Sequence, residues 1–172
     1  MSTTSYPKTA VVLVGHGAVP KDYPRDQIMR LKALESRRQS TGAAPTTEEI
    51  GLDEHVRSWP RTPSTDPYQV GLETLAASLV PLLPNVLFKL AYLEFCAPTL
   101  EDIVAEMVEA GATTILVAPS MLTPGGVHSE VDIPDILARL RERYPTVTLR
   151  YAWPFDMTRV AHLLADHLQQ FA

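Results

Sequence analysis

The 172-residue chain is 45% apolar and 20% charged, with a formal net charge of −5 and a sequence pI of about 5.5. That length suits one domain with a self-sufficient core, and the acidic balance argues against a general nucleic-acid binder. No apolar run is long enough to span a bilayer, the first residues lack a secretory signal pattern, and Cys96 is the single cysteine; the expectation is a cytoplasmic protein with no intrachain disulfide.

In chain order, the apolar run Thr9 to Val14 reads as a buried strand, and Gly15-His16-Gly17 follows at its end. Lys21 to Arg38 interleaves Ile28, Leu31 and Leu34 with charged residues, the pattern of an amphipathic helix. Ser40 to Pro45 breaks it. Thr46-Thr47-Glu48-Glu49 then carries a helix-start capping signal ahead of Ile50, Leu52, Val56 and Trp59, and Pro60, Pro63 and Pro67 mark an extended return. A helical hairpin inserted at about 18–65 is therefore expected directly after His16. It leaves the sheet at a crevice, which suits a lid or specificity element; a dimer contact or stabilising extension suits it equally.

Beyond the hairpin, Asp66 to Leu83 reads as a helix and Val86 to Leu93 as a second strand. Thr99 to Ala110 is a helix with Thr99 as N-cap, Glu101 and Asp102 at its positive end, and Gly111 as its stop. Thr114 to Ala118 is the third strand, followed by Gly125-Gly126-Val127-His128. A helix from Asp132 or Pro134 to Tyr144, a strand Thr146 to Tyr151 and a helix Asp156 to Phe171 complete the pattern.

Strand–helix alternation predicts a parallel sheet with helices on both faces. Right-handed crossovers make 2-1-3-4 a natural order for four strands. In that order the carboxyl ends of strands one and three are neighbours at the switch point, so His16 and His128 face each other across one crevice. Open α/β sheets bind ligands there. Gly125-Gly126 suits a tight turn with positive φ, and it equally lets a flat ligand approach the backbone.

Three groups of residues carry a family resemblance: Val14-Gly15-His16-Gly17; Ala91-Tyr92-Leu93-Glu94-Phe95-Cys96-Ala97-Pro98-Thr99-Leu100; and Ala118-Pro119-Ser120-Met121-Leu122 leading into Gly126-Val127-His128 and Asp132-Ile133-Pro134. In that order they resemble the small CbiX-type tetrapyrrole chelatases, the sirohydrochlorin cobaltochelatase or ferrochelatase family, over residues 9–17 and about 66–172. The resemblance implies one chelatase-like domain over 1–172, three-layered and flavodoxin-like, with the helical insertion as a departure from the compact pattern. It implies that Co2+, Fe2+ or Ni2+ is inserted, as substrate, into a sirohydrochlorin-like tetrapyrrole, with no organic cofactor. His16 and His128 are then the active-site histidines and metal ligands, Glu94 a third polar member, and Gly17, Gly125 and Gly126 the glycines beside the macrocycle. It also implies a homodimer, with neither nucleic acid nor membrane as a partner.

The chemistry asks for such residues on its own account. Metal insertion must hold a divalent ion and remove two protons from pyrrole nitrogens. Neutral imidazole binds first-row ions yet releases them, and it titrates near neutral pH. A carboxylate such as Glu94 can orient a ring or take a proton. A closed structural zinc site would want four ligands, and the chain offers one cysteine. A lone Gly-His-Gly is as well explained by a strand-end turn; the second histidine and the family match favour function.

Lys21, Arg25, Arg57 and Arg61 are candidates for contacts to substrate carboxylates, against the plainer reading of a solvated face shared with Asp22, Asp26 and Asp66. His55, His162 and His167 read as surface or packing residues, and Cys96 has no assigned role. The rival reading is a non-catalytic metal or tetrapyrrole carrier or sensor on the same scaffold. A hydrolase or phosphoryl-transfer enzyme with a histidine nucleophile calls for an arginine before Gly15, where Val14 stands.

Overall fold

A computed structural model describes residues 8–172. The expectation drawn from the first residues falls largely on 1–7, outside the described residues. Four runs rich in β-branched and apolar residues form a parallel sheet in the order β2-β1-β3-β4, as the alternation predicts. The strands are β1 (Thr9–Gly15), β2 (Leu87–Tyr92), β3 (Thr114–Pro119) and β4 (Thr148–Tyr151). β1 is buried almost throughout because it has neighbours on both edges.

One sheet face is closed by α4 (Leu100–Glu109) and α5 (Ile133–Arg143). Alternate residues of the strands, Ala10, Val12, Val14, Ile115, Val117 and Leu149, meet Ile103, Val104 and Met107 of α4 and Leu137 and Leu140 of α5 in the main core. α4 starts as expected: Thr99 and Asp102 form a reciprocal capping box. The other face is covered over β1 and β2 by α3 (Pro67–Leu79), whose Leu72 packs with Leu13, Tyr92 and Cys96. On that same face Leu116 and Ala118 of β3 are only half-buried. The terminal helix α6 (Met157–Leu168) forms where expected but buries none of its residues, leaving Leu163, Leu164 and Leu168 exposed, with Phe171 just beyond.

The hairpin between β1 and α3 consists of α1 (Arg25–Thr41) and α2 (Thr47–Ser58). α1 begins four residues later than its charge pattern suggests, because Pro24 occupies the N-cap position and the chain before it is a turn. Thr46 caps α2 by accepting from the Glu49 amide. The hairpin has its own small core of Tyr23, Leu31 and Val56, and the fourth buried member is Phe95, from the loop after β2. Phe95 has φ 56, a left-handed backbone unusual for a bulky residue, which turns its ring into the hairpin.

Two arginines fasten this contact. Arg57 donates to the carbonyls of Leu93 and Cys96 at 3.0 and 3.1 Å while its Nε holds Asp53 at 2.7 Å. Arg61 is almost wholly buried, pairs with Asp66, and donates to the carbonyls of Ala18, Val56 and Phe95. The sequence reading offered Arg57 and Arg61 as substrate contacts and Asp66 as solvated surface. Burial overturns this for Arg61 and Asp66: their charges are spent on each other and on backbone. Asp66 also caps α3, accepting from the Gln69 amide at 3.0 Å. Held this way, the hairpin is tied to the loops that follow β1 and β2.

Candidate functional site

The carboxyl ends of β1 and β3 lie side by side, and the backbone keeps pairing past the strand ends. Leu93 N donates to the Gly15 carbonyl at 3.0 Å and Glu94 N to the His16 carbonyl at 2.8 Å. This brings the loop after β1 against the loop after β2 so closely that a Cβ on Gly17, which has φ +93, would collide with the Glu94 carbonyl. Gly17 is buried; its visible role is to let these loops meet. The His16 amide donates to the Tyr68 hydroxyl at 2.7 Å, a support from α3 that no sequence signal had indicated.

His128 reaches the crevice by a different route. The sequence reading places it just past a strand end, whereas nine positions separate it from Pro119, and it opens a π-helical turn, His128–Asp132, that runs into α5. Gly125 (φ +93) turns the chain ahead of it, and the Gly126 carbonyl accepts from the Ser129 and Glu130 amides. The Glu130 carboxylate accepts from Gly125 N and Trp153 Nε1, both at 3.2 Å, and Tyr151 donates to the Ser129 carbonyl at 2.9 Å. Burial and the Glu130 charge push the Tyr151 hydroxyl up to about 12 against the lowering effect of that hydrogen bond, so it stays a donor. Gly125 and Gly126 are exposed, with open space where a Cβ would stand.

The two imidazoles meet edge to face, their ring centres 4.6 Å apart. His16 Nε2 lies 3.8 Å from one Glu94 oxygen and His128 Nε2 lies 3.9 Å from the other. One donor atom from each of His16, Glu94 and His128 falls within 4.8 Å of the others. Ligands about 2.0–2.2 Å from a common ion stand somewhat closer together than this, so a bound ion would draw the three donors inward. All three side chains are partly open to solvent, so an ion and a ligand can reach them.

The hydrogen-bond partners fix the tautomers. His16 Nδ1 lies 2.7 Å from the Gly17 carbonyl and His128 Nδ1 lies 2.6 Å from Asp132 Oδ2. A carbonyl only accepts, so His16 carries its proton on Nδ1; the carboxylate favours the same form in His128. Both rings therefore turn the Nε2 lone pair toward Glu94.

A cavity of about 240 Å³ opens beside Glu94 and His128, between α1 (Glu35, Arg38, Gln39) and α5 (Ile136), with Arg57, Leu93 and Asp132 also in its wall. The hairpin thus contributes directly to the crevice. Glu35 is the notable residue here: burial, followed by the charges of Glu94, Asp53 and Glu49, holds its carboxyl above the ordinary 4.5 despite Arg38. A raised carboxyl pKa means the folded chain holds that proton more tightly than the unfolded one, so stability declines as pH rises from the ordinary value through the raised one. Glu35→Gln is accordingly expected to raise Tm at pH 7 and to leave it nearly unchanged near pH 4, measured by thermal melts across that range.

Other candidates stay outside the crevice. Lys21 and Arg25 are exposed. His55 bonds Gln27 at 2.8 Å and packs on Trp59 within the hairpin, and His162 and His167 lie exposed on α6. Cys96 is buried and its thiol is pushed up to about 11 by burial, which suits packing rather than chemistry.

The sequence model of the CbiX family matches residues 64–170, a stretch that includes Glu94 and His128 and starts after the hairpin. A sirohydrochlorin ferrochelatase of Priestia megaterium is 31% identical over 83 residues, covering 48% of this chain and 31% of that protein. A sirohydrochlorin cobaltochelatase of the same organism is 32% identical over 87 residues, covering 50% and 28%. The matched stretch is therefore less than a third of the length of either relative. A crystal structure of a CbiX protein from Marinobacter aquaeolei VT8 superposes with a TM-score of 0.57 at 20% identity, over 94% of this chain and 93% of that one, a likeness of fold. With the family's own pattern running through α3, β2, β3 and both of the crevice loops that follow them, this chain belongs to the CbiX family.

Proposed function

We propose that this protein is a tetrapyrrole metal chelatase, inserting a divalent ion such as Co2+, Fe2+ or Ni2+ into a sirohydrochlorin-like macrocycle. The observation that carries the reading is the convergence of His16 Nε2, His128 Nε2 and a Glu94 oxygen at the switch point, with both lone pairs preset. Three donors leave coordination positions free for pyrrole nitrogens, as a transfer site requires. The names of the matched relatives support the substrate class.

In this mechanism the ion is held by the two imidazoles and Glu94 while the macrocycle settles over exposed Gly125 and Gly126, with Gly17 letting the His16 loop lie close enough to the Glu94 loop for the donors to converge. Two pyrrole N–H bonds break as two metal–nitrogen bonds form. The protons pass to the imidazole released from the ion and to Glu94 or water, so the charge entering the ring balances the charge leaving it.

The direct test is sirohydrochlorin mixed with Co2+ and the purified protein, followed by absorbance. Conversion faster than the metal-only control supports the chelatase; binding of both ligands without acceleration points to a carrier or sensor instead. We further read residues 1–172 as one chelatase-like domain with an insertion at about 18–65, since α1 and α2 both fall inside that span.

The working unit in this reading is a homodimer. α6 carries Met157, Val160, Ala161, Leu164 and Leu168 along one stripe, with Phe171 following, and Leu164, Leu168 and Phe171 are 54%, 66% and 77% exposed. The same chain leaves Leu116 and Ala118 of its sheet thinly covered, so a second copy can supply the missing helix to each. Leu164→Glu with Leu168→Glu is expected to turn a dimer into a monomer by light scattering while the far-UV spectrum is retained. A wild-type monomer at micromolar concentration rules out this assembly.

A further inference from the structure

The two histidines of the site are alike in sequence context, each beside glycine, and unlike in what stands behind them. His16 Nδ1 faces a neutral backbone carbonyl, Gly17, at 2.7 Å. His128 Nδ1 faces a carboxylate, Asp132 Oδ2, at 2.6 Å, one turn further along the π-helical segment that opens α5. Spacing of i to i+4 on a helical turn puts the two side chains on one face, and the short distance is that of a charge-assisted bond. Asp132 itself makes no backbone cap to α5, so the carboxylate is not accounted for by helix formation.

A carboxylate behind an imidazole does two things to the far nitrogen. It restrains the ring's rotation, and it increases the electron density that Nε2 can donate to a cation. A carbonyl restrains the ring and adds less density. The exposure of the rings follows the same order: the His128 side chain is 21% exposed and the His16 side chain 40%.

We propose that Asp132 is a positioning residue that makes His128 the anchoring ligand of the incoming ion, leaving His16 as the ligand that lets go first. The inference rests on the metal-transfer reading of the site and assigns an order to it. Such asymmetry gives transfer into a ring a preferred order. Pyrrole nitrogens replace protein ligands one at a time, and a site with two equivalent imidazoles would have no preferred first departure. The less buried His16, backed by the weaker partner, leaves on the open side of the crevice, and its freed Nε2 is then placed to take a pyrrole proton.

The test uses Co2+ alone, titrated into the full-length protein and followed by its visible absorption and by calorimetry. Asp132→Asn is expected to weaken Co2+ binding by about 10–100-fold, the usual cost of losing a carboxylate behind a ligating histidine. His128→Ala is expected to weaken it more than His16→Ala does. In the His128→Ala background, Asp132→Asn should cost nothing further, because its effect passes through that ring. A purely structural role would instead appear as an equal loss in both backgrounds, together with a lower Tm, and would overturn the proposal. Unchanged Co2+ affinity in Asp132→Asn would overturn it as well, as would equal losses for the two histidine variants. In turnover, Asp132→Asn should raise KM for the metal and leave KM for the macrocycle near wild type. If Co2+ binds in this graded way but sirohydrochlorin is never metallated, the assignment of Asp132 stands and the chelatase reading falls.

Discussion

His16→Ala and His128→Ala are each expected to lower the rate of Co2+ insertion into sirohydrochlorin by roughly 10²–10⁴-fold, the range that a positioned acid–base group supplies. Each change removes one of the two Nε2 atoms that lie 3.8 and 3.9 Å from Glu94 and, in the proposed mechanism, a proton acceptor beside the ring. The double variant should be scarcely worse than either single one, because the donors act as a unit. Glu94→Gln keeps the shape and loses the charge, so a smaller reduction, about tenfold, is expected. Neither histidine is fully buried, and away from the core such substitutions shift stability by about 0.5 kcal/mol or less. Melting curves close to wild type should therefore accompany the loss. If either alanine variant retains a rate within a factor of two, the transfer mechanism through this pair is wrong.

Asp66→Ala is expected to destabilise the protein by about 3–5 kcal/mol, the cost of stranding a buried partner charge. Asp66 is 1% exposed and faces Arg61, which is also tied to the carbonyls of Ala18 and Phe95. Removing the carboxylate leaves the guanidinium in a low-dielectric interface that joins the hairpin, the His16 loop and the Glu94 loop. For a chain of this size, roughly 2–4 °C of Tm per kcal/mol translates the loss into about 6–20 °C. Asp66→Asn separates two contributions: it keeps a good N-cap for α3 and loses only the charge. The asparagine variant should therefore recover about 1 kcal/mol relative to alanine. Because the interface holds Glu94 in place, weaker metal binding should track the loss of stability. A Tm shift below about 2 °C for Asp66→Ala would show that Arg61 does not depend on this partner.

The hairpin lines one side of the crevice through Glu35, Arg38, Gln39 and Arg57. Its two helices were legible from Thr46, the break at Ser40 to Pro45 and the apolar spacing, since these are local signals. Its attachment was not. Nothing in the order of residues says that Phe95 will adopt φ 56 and insert among Tyr23, Leu31 and Val56, or that Arg57 and Arg61 will spend their donors on carbonyls 34 to 43 positions away. Arg61 and Asp66 look like solvated charges in a linear reading because charged residues are usually exposed; mutual neutralisation and multiple hydrogen bonds are what make their burial tolerable.

The site divides in the same way. Apolar strands, helix caps and the alternation of elements made the 2-1-3-4 sheet readable, and with it the nearness of the loops bearing His16 and His128, because sheet topology follows from a few chirality rules acting on local patterns. Glu94 was readable only through the family's motif. Tyr68 behind the His16 amide, Glu130 tied to Trp153 and Asp132 behind His128 were not read as parts of the site, since each acts through a contact that exists only once distant loops or a π-turn have formed. What the sequence by itself determined is the scaffold and the nearness of the loops that carry His16 and His128. What only the tertiary structure decided is which nitrogen each presents, what stands behind it, and that the inserted hairpin is bolted down as one side of the crevice. The physical reason is the same throughout: periodicity and capping are short-range and written in neighbouring residues, whereas tautomer, partner charge and burial are set by atoms brought together from across the chain.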